Sequence, residues 1–458
     1  MLIRLVNKVN NQFLKSLSKL LFSKCKNIVL LGFILSLSNC SQKHTNTDAK
    51  VCIKEEANGY ILYKNNEKFI IKGAAGFSYL KELKEAGGNT LRTYDTTNLG
   101  AILDSANKYG LSVMVGLPMI HSKFMKEFYE KEELKNKQIL AFKNVIKKYK
   151  DHPALLIWCL GNEIDFPITI FKSTFYDHFN ALVDMVHQED QNHPVTTTLI
   201  KRRQVLSLLL RVSSLDFISI NVFGKISTFK NELEDYNLFW KGPFLISEWG
   251  VNGYWETEKT AWDAPIENTS TKNSEIIKER YKSLIEINSW PKQRCIGSIV
   301  FFWGEKQEKT GTWFSMFIDN GKKSSSVIQL SELWTGKKIW KEGPKLKYML
   351  LNKKGAKDNI MVLAGSLNNA EIVQETMDST IIYKWGIYNE ELQIDHNRNT
   401  LTQPLNGLIF NMDNSNIIFK APSKEGAYRV AVKVFDRKGN CSTVNTPFYV
   451  LENDRQTQ

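Results

Sequence analysis

The chain has 458 residues but only six cysteines, and they form no framework. Cys25, Cys40, Cys52, Cys159, Cys295 and Cys441 are scattered, without the paired spacing of a zinc site. Cys159 and Cys295 fall in or beside apolar runs, where a thiol behaves as a small hydrophobe. Glycine-rich phosphate loops are missing too. The first strand-like stretch ends "GAAGFSYL", which lacks the fingerprint of a doubly wound dinucleotide fold. There is no internal repeat and no low-complexity tract, which excludes a solenoid. No stripe of lysine and arginine with interleaved aromatics marks a nucleic-acid face. The formal net charge of +13 is partly local, because residues 1–39 hold Arg4, Lys8, Lys15, Lys19, Lys24 and Lys26 and no acid.

That basic segment precedes an apolar run, "IVLLGFILSLS", Ile28 to Ser38. At ~11 residues it is too short to span a bilayer and suits the core of a signal peptide. The run leads into "LSNC", which resembles a bacterial lipobox with Cys40 as the lipidated residue. Residues 1–40 are expected to be a lipoprotein signal and 41–57 a tether, with the mature protein in the cell envelope and a lipid anchor as its only membrane contact. A plain secretory signal is the alternative.

From about residue 69, strand-like and helix-like stretches alternate. The strands read "FIIKGAAG", "NTLRTYD", "LSVMVGLPM", "ALLIWCLGNE", "PVTTTLI", "DFISINVF", "PFLISEWG" and "CIGSIVFFWG". Amphipathic stretches separate them, including one from about 127 to 150. Strands alternating with helices imply a parallel sheet, and eight such units imply a (β/α)8 TIM barrel, placed here at 58–340. Residues 51–68 read as a hairpin that caps the barrel floor. From 344 to 458 short strand-like runs with turn signals such as "DRKGN" predict a C-terminal immunoglobulin-like β-sandwich, so the fold class is α/β with an appended all-β domain.

Barrel enzymes place their chemistry at the C-terminal ends of the strands. Those ends carry Arg92, Tyr94 and Asp95 on the second, Asn162 and Glu163 on the fourth, and Asn221 and Phe223 on the sixth. The seventh ends with Glu248 and Trp249, and the eighth with Trp303 and Glu305. A carboxylate at the end of a buried strand costs several kcal/mol unless paired or solvated, so two on one rim are not what folding alone favours. Glycoside hydrolysis needs such a pair, one acid to protonate the leaving oxygen and one carboxylate to attack or to activate water. Trp158 and Leu160 offer an apolar setting for the acid, and Arg92 a positive charge that keeps the other carboxylate ionised.

At this point "DHPALLIWCLGNE" and "GPFLISEWG" become recognisable. They resemble the acid/base and nucleophile motifs of the retaining β-glycosidases of clan A, and the early strands resemble the barrel domain of glycoside hydrolase family 2. The resemblance implies Glu163 as general acid/base, Glu248 as nucleophile, Asn162 on the sugar 2-hydroxyl, Arg92 orienting Glu248, and Trp303 as a stacking floor. Asn221 and Trp249 join the expected substrate-binding set. The family's tyrosine near the end of strand six is matched by Phe223, which has no hydroxyl, and Tyr94 or Tyr254 is the expected substitute. The implied activity is retaining hydrolysis of a β-linked oligo- or polysaccharide, without metal or organic cofactor. A β-glucan transglycosylase and a catalytically idle glycan-binding lipoprotein are the alternatives, the latter favoured by Phe223.

Among the other candidates, His152 precedes strand four and is expected to be structural, and His121 is expected in a solvated loop. Trp255 and Trp262 lie in a polar loop, where stacking on sugar rings and anchoring of the loop are equally expected.

Overall fold

The structure, a computed structural model, describes residues 49–120, 124–167, 173–212, 214–237, 240–289, 292–375, 380–391, 400–411 and 414–452. The N-terminal signal, Cys40 and His121 lie outside the described residues.

Three short antiparallel strands come first: β1 (Val51–Glu56), β2 (Gly59–Lys64) and β3 (Glu67–Lys68). Val51–Glu56, part of the 41–57 segment expected to be a tether, are paired with β2 instead. Eight parallel strands then close into a barrel. In chain order they and their helices are β4 (Ile71–Ala75), α1 (Leu80–Glu85), β5 (Thr90–Arg92), α2 (Leu99–Lys108) and β6 (Ser112–Leu117). Next are α3 (Met125–Tyr129), α4 (Glu132–Tyr149), β7 (Leu155–Asn162), α5 (Thr174–Glu189), β8 (Val195–Leu199) and α6 (Arg202–Arg211). The circuit ends with β9 (Ile218–Asn221), α7 (Phe229–Asn237), β10 (Phe244–Gly250), α8 (Ser270–Ser289) and β11 (Cys295–Phe301). Two short strands, β12 (Phe317–Ile318) and β13 (Lys322–Ser324), precede the last helix, α9 (Ser325–Thr335).

The sequence accounts for this closure. Strands covered on both faces read as continuous apolar runs, and in β7 every residue from Leu155 to Gly161 is buried. Helices covered on one face show a 3.6-residue spacing: α5 buries Phe175, Phe179, Leu182, Val183 and Val186. The N-terminal sheet closes the floor, as expected. Val51 N donates to Asn192 O (3.0 Å), Tyr60 N to Gln293 O (2.6 Å) and Lys64 Nζ to Ser112 Oγ (2.8 Å), at or just before the starts of β8, β11 and β6.

Seven further strands build the C-terminal β-sandwich: β14 (Leu346–Leu351), β15 (Met361–Leu363), β16 (Leu367–Gln374), β17 (Ile382–Asn389), β18 (Asn416–Lys420), β19 (Gly426–Phe435) and β20 (Asn440–Leu451). One sheet has the order β14-β16-β18; the other runs β12-β13-β20-β19-β17, with β15 also on β20. Leu351, Ile417 and Phe419 of the first sheet share a core with Ile387, Val430 and Phe448 of the second. Because β13 pairs with β20, the larger sandwich sheet continues into the segment that follows the barrel.

Candidate active site

The C-terminal end of β7 answers why an amide and a carboxylate follow a buried strand. Regular strands alternate their side chains between faces, but pairing with β8 slips between Cys159 and Asn162. Gly161 takes φ 74° and Glu163, a non-glycine residue, takes φ 54°. Side chains pay for that left-handed region, and a Cβ on Gly161 would stand 3.0 Å from Met119 Cγ. The irregularity turns consecutive side chains, Asn162 and Glu163, toward one network. A second slip, between Ile246 and Glu248 in the β9–β10 pairing, does the same for Ser247 and Glu248.

Arg92 lies at the bottom of this network, 1 % exposed. Its Nη1 donates to Glu248 Oε1 (2.9 Å), to the Ser247 carbonyl (2.9 Å) and to Asn221 Oδ1 (3.4 Å). Its Nη2 donates to Asn162 Oδ1 (2.7 Å) and Thr198 Oγ1 (3.0 Å). Asn221 Nδ2 donates to Glu163 Oε1 (2.7 Å) and to Asn162 Oδ1 (3.3 Å), while its Oδ1 accepts from Ser247 Oγ (2.8 Å). Strands two, four, five, six and seven thus meet on one arginine and one amide. With Asn162 Oδ1 held from below, its NH2 group is the outward end of an exposed side chain. Five of the expected residues, Arg92, Asn162, Glu163, Asn221 and Glu248, are brought together.

Glu248 is buried, 5 % exposed. Burial pushes its carboxyl up to about 7, and the charge of Glu163 pushes the same way. Arg92 and hydrogen bonds from Tyr94 and Asn221 pull it down, but burial outweighs them. Arg92 favours the ionised form, as expected, but burial outweighs it. The Trp158 Nε1 donates to Asp190 Oδ2 (2.8 Å), beside His193.

The missing hydroxyl is supplied from strand two. Tyr94 Oη donates to Glu248 Oε1 (2.8 Å), so the substitute is Tyr94. Phe223 takes an apolar part, packed against Phe301 (6.0 Å between ring centres), Phe314 (5.9 Å) and Trp255 (5.7 Å).

Two expected contacts fall elsewhere. Trp249 follows Glu248 by one residue and faces outward, fully buried against Tyr281 of α8 (6.1 Å). Trp303 is also fully buried, between Phe317 (5.1 Å) and Trp334 (6.2 Å), with its Nε1 donating to Tyr79 O (3.1 Å). Both are core aromatics and present no face to the cleft. The ring beside Tyr94 is Phe301, edge-on at 6.5 Å; alternation could not point to it, because the strand ends there. Ser247 and Thr198 were also missed. A run of threonines in a strand with no polar face was the available signal, since Thr196, Thr197 and Thr198 are all buried and hydrogen-bonded.

The remaining candidates are bracing groups. His152 accepts from the Ala154 amide and contacts Asp104 (3.2 Å) at the floor. Glu305 accepts from Tyr79 Oη (3.0 Å) and Asn320 N (3.0 Å). Trp262 packs on Tyr449 of the sandwich (5.7 Å), which is the anchoring role, whereas Trp255 stays 53 % exposed.

A closed parallel barrel with two glutamates at the ends of its fourth and seventh strands belongs to a recognisable type. Residues 78–259 match the family model described as glycosyl hydrolases family 2, TIM barrel domain. The matched stretch contains Arg92, Tyr94, Asn162, Glu163, Asn221 and Glu248, and the barrel is similar to that of glycoside hydrolase family 2. No curated protein matches the sequence. Among solved structures, the β-D-glucuronidase of Dictyoglomus thermophilum is 18% identical, covering 64% of this chain and 55% of its own, with a TM-score of 0.46. The β-galacturonidase of Eisenbergiella tayi is 15% identical over 63% of this chain and 54% of its own, with a TM-score of 0.48. The endo-β-1,4-mannanase of Thermotoga petrophila is 12% identical over 85% and 99%, with a TM-score of 0.43. This chain spans about half the length of the first two.

Proposed function

We propose that the chain is a retaining β-glycoside hydrolase acting on a β-linked glycan. The observation that carries this reading is that Asn221 joins Glu163 to the Arg92 network that also binds Glu248, while Tyr94 donates to the same Glu248 oxygen as Arg92. Two carboxyls from strands four and seven thereby share one hydrogen-bonded network, and double displacement asks that such a pair stand ~5–5.5 Å apart.

In the first step the Glu248 carboxylate attacks the anomeric carbon as the Glu163 carboxyl gives its proton to the glycosidic oxygen. The carbon–oxygen bond breaks and the aglycone leaves as an alcohol, with the sugar held as an ester on Glu248. In the second step Glu163, now a carboxylate, takes a proton from water. The water oxygen bonds to the anomeric carbon and Glu248 is released. Arg92 and the Tyr94 hydroxyl keep Glu248 Oε1 in place throughout, and the outward NH2 of Asn162 suits a sugar hydroxyl.

A 2-fluoro-sugar with a good leaving group tests this directly. Peptide mapping should find one sugar on Glu248, and Glu248→Gln should lose both labelling and turnover of aryl β-glycosides. Wild-type protein that neither labels nor turns over such substrates would overturn the reading. The Cys40 motif supports envelope attachment; a Cys40→Ser chain that still incorporates labelled fatty acid would remove that support.

A further inference from the structure

The loop after β11, residues 302–316, has two faces. Its neck is closed by Met316 N and Phe317 N donating to Gly304 O (3.1 and 3.2 Å) and by Lys306 N donating to Ser315 Oγ (2.8 Å). The inner face builds the aromatic wall of the site. Phe314 packs on Phe301 (5.2 Å) and Phe223 (5.9 Å), and Trp313 lies edge-on to Tyr254 (6.1 Å) while its Nε1 donates to Asn252 O (2.9 Å).

The outer face is held through the C-terminal sandwich. The hydroxyls of Thr310 and Thr312 donate to Glu267 Oε2 (2.6 Å) and Oε1 (2.7 Å). Glu267 Oε2 also accepts from Asn445 Nδ2 (2.7 Å), and Asn445 Oδ1 accepts from Arg429 Nη1 (2.6 Å). Arg429 forks onto both oxygens of Glu390 (2.8 and 2.9 Å) and gives Nη2 to the Pro265 carbonyl (2.8 Å). A second attachment joins Gln307 Nε2 to Glu391 Oε2 (3.0 Å) and Thr402 N to Gln307 Oε1 (3.0 Å). Glu267, Arg429 and Asn445 are all buried. A buried polar chain of this kind holds one geometry, because a broken link leaves its partners unsatisfied.

We propose that the C-terminal sandwich positions the active site: Asn445, held by Arg429, fixes Glu267, and Glu267 fixes the loop that carries Phe314 and Trp313. This gives the sandwich a role inside the proposed hydrolase site, and it rests on that reading only where activity is the readout. Asn445 touches no substrate in this scheme; it is a positioning residue acting through Glu267.

The test uses the full chain with Asn445→Ala, and with the paired change Thr310→Val and Thr312→Val against Thr310→Ser and Thr312→Ser. Hydrogen exchange of residues 302–316 should quicken about tenfold in the alanine and valine proteins, with the strands of the barrel unchanged. KM for a β-linked oligosaccharide should rise about tenfold while kcat falls less than threefold, and the serine pair should restore both. A merely structural role would lower apparent kcat by reducing the folded fraction and leave KM alone. Unchanged loop exchange, or faster exchange with unchanged KM, would overturn the proposal. Should Asn445→Ala fail to fold, the valine and serine pairs decide it. Should the wild type lack turnover, the hydrolase reading fails by itself and loop exchange decides this one.

Discussion

The hydroxyl of Tyr94 donates to Oε1 of Glu248 at 2.8 Å, on the same oxygen that takes Nη1 of Arg92 at 2.9 Å. One carboxylate oxygen is thus fixed by two donors from the end of the second strand. Tyr94 itself is held by the Arg92 guanidinium, 4.7 Å from its ring centre, and by the edge contact with Phe301.

Removing that hydroxyl should therefore weaken the nucleophile's placement and leave the fold intact. A hydrogen bond to a charged group contributes ~1.5–3 kcal/mol, which corresponds to roughly a tenfold to hundredfold loss of rate. Tyr94→Phe should show that loss in kcat, with little change in thermal midpoint. Because the bond favours the ionised form of Glu248, the acid limb of its pH profile should also move to higher pH. Full activity in Tyr94→Phe would assign the hydroxyl no part in the chemistry.

The acid limb itself is a second test. With Glu248 pushed up to about 7, kcat/KM on an aryl β-glycoside should rise with pH up to that region as the nucleophile ionises. Asn221→Ala removes a hydrogen bond that favours the ionised form. The carboxylate of Glu248 then forms less easily and the limb moves to higher pH. A limb that stays in place would mean that it belongs to another group.

Most barrel strands were legible as apolar runs, because a strand covered on both faces is mostly apolar; β8, with Thr196, Thr197 and Thr198 buried, departs from that. Glu163 and Glu248 were legible because an acid ending such a run conflicts with burial. Trp249 was misplaced by neglecting alternation, since the neighbour of an inward side chain in a strand points outward. Trp303 and Phe301 were not legible, because the period of two ends with the strand at Phe301. The helix expected over 127–150 is two, α3 and α4, broken where Lys131 is extended. The link from Asn445 to Glu267 leaves no local pattern at all, because it joins residues 178 positions apart that meet only after both domains have folded.

Trp249, Trp303 and Trp255 separate packing from recognition. Trp249 and Trp303 are fully buried, and Trp255 is 53 % exposed. Truncating a large core aromatic costs ~3–5 kcal/mol, so Trp249→Ala and Trp303→Ala should lower the thermal midpoint by many degrees. Trp255 rests edge-on against Tyr254 (4.7 Å) and Phe223, with much of its surface in water. Trp255→Ala should leave the midpoint nearly unchanged and raise KM several-fold for oligosaccharides more than for a small aryl glycoside. Equal loss of stability in all three would make Trp255 a packing residue like the others.

Stability should carry the mark of Glu248 as well. Its carboxyl is raised in the folded state from an ordinary value of 4.5 to about 7. The folded protein therefore holds a proton that the unfolded chain releases, and this contribution is complete below about pH 4.5 and lost as pH rises through about 7. Glu248→Gln has no such proton to lose. Burial raises Glu267 too, but that group is present in both proteins and cancels from their difference. Between pH 4.5 and 7.5 the wild type should lose thermal midpoint relative to Glu248→Gln, and the gap should stop changing at higher pH. A gap independent of pH across this window would show that Arg92 and Tyr94 hold Glu248 ionised throughout, and the acid limb of activity would then have to come from a different residue.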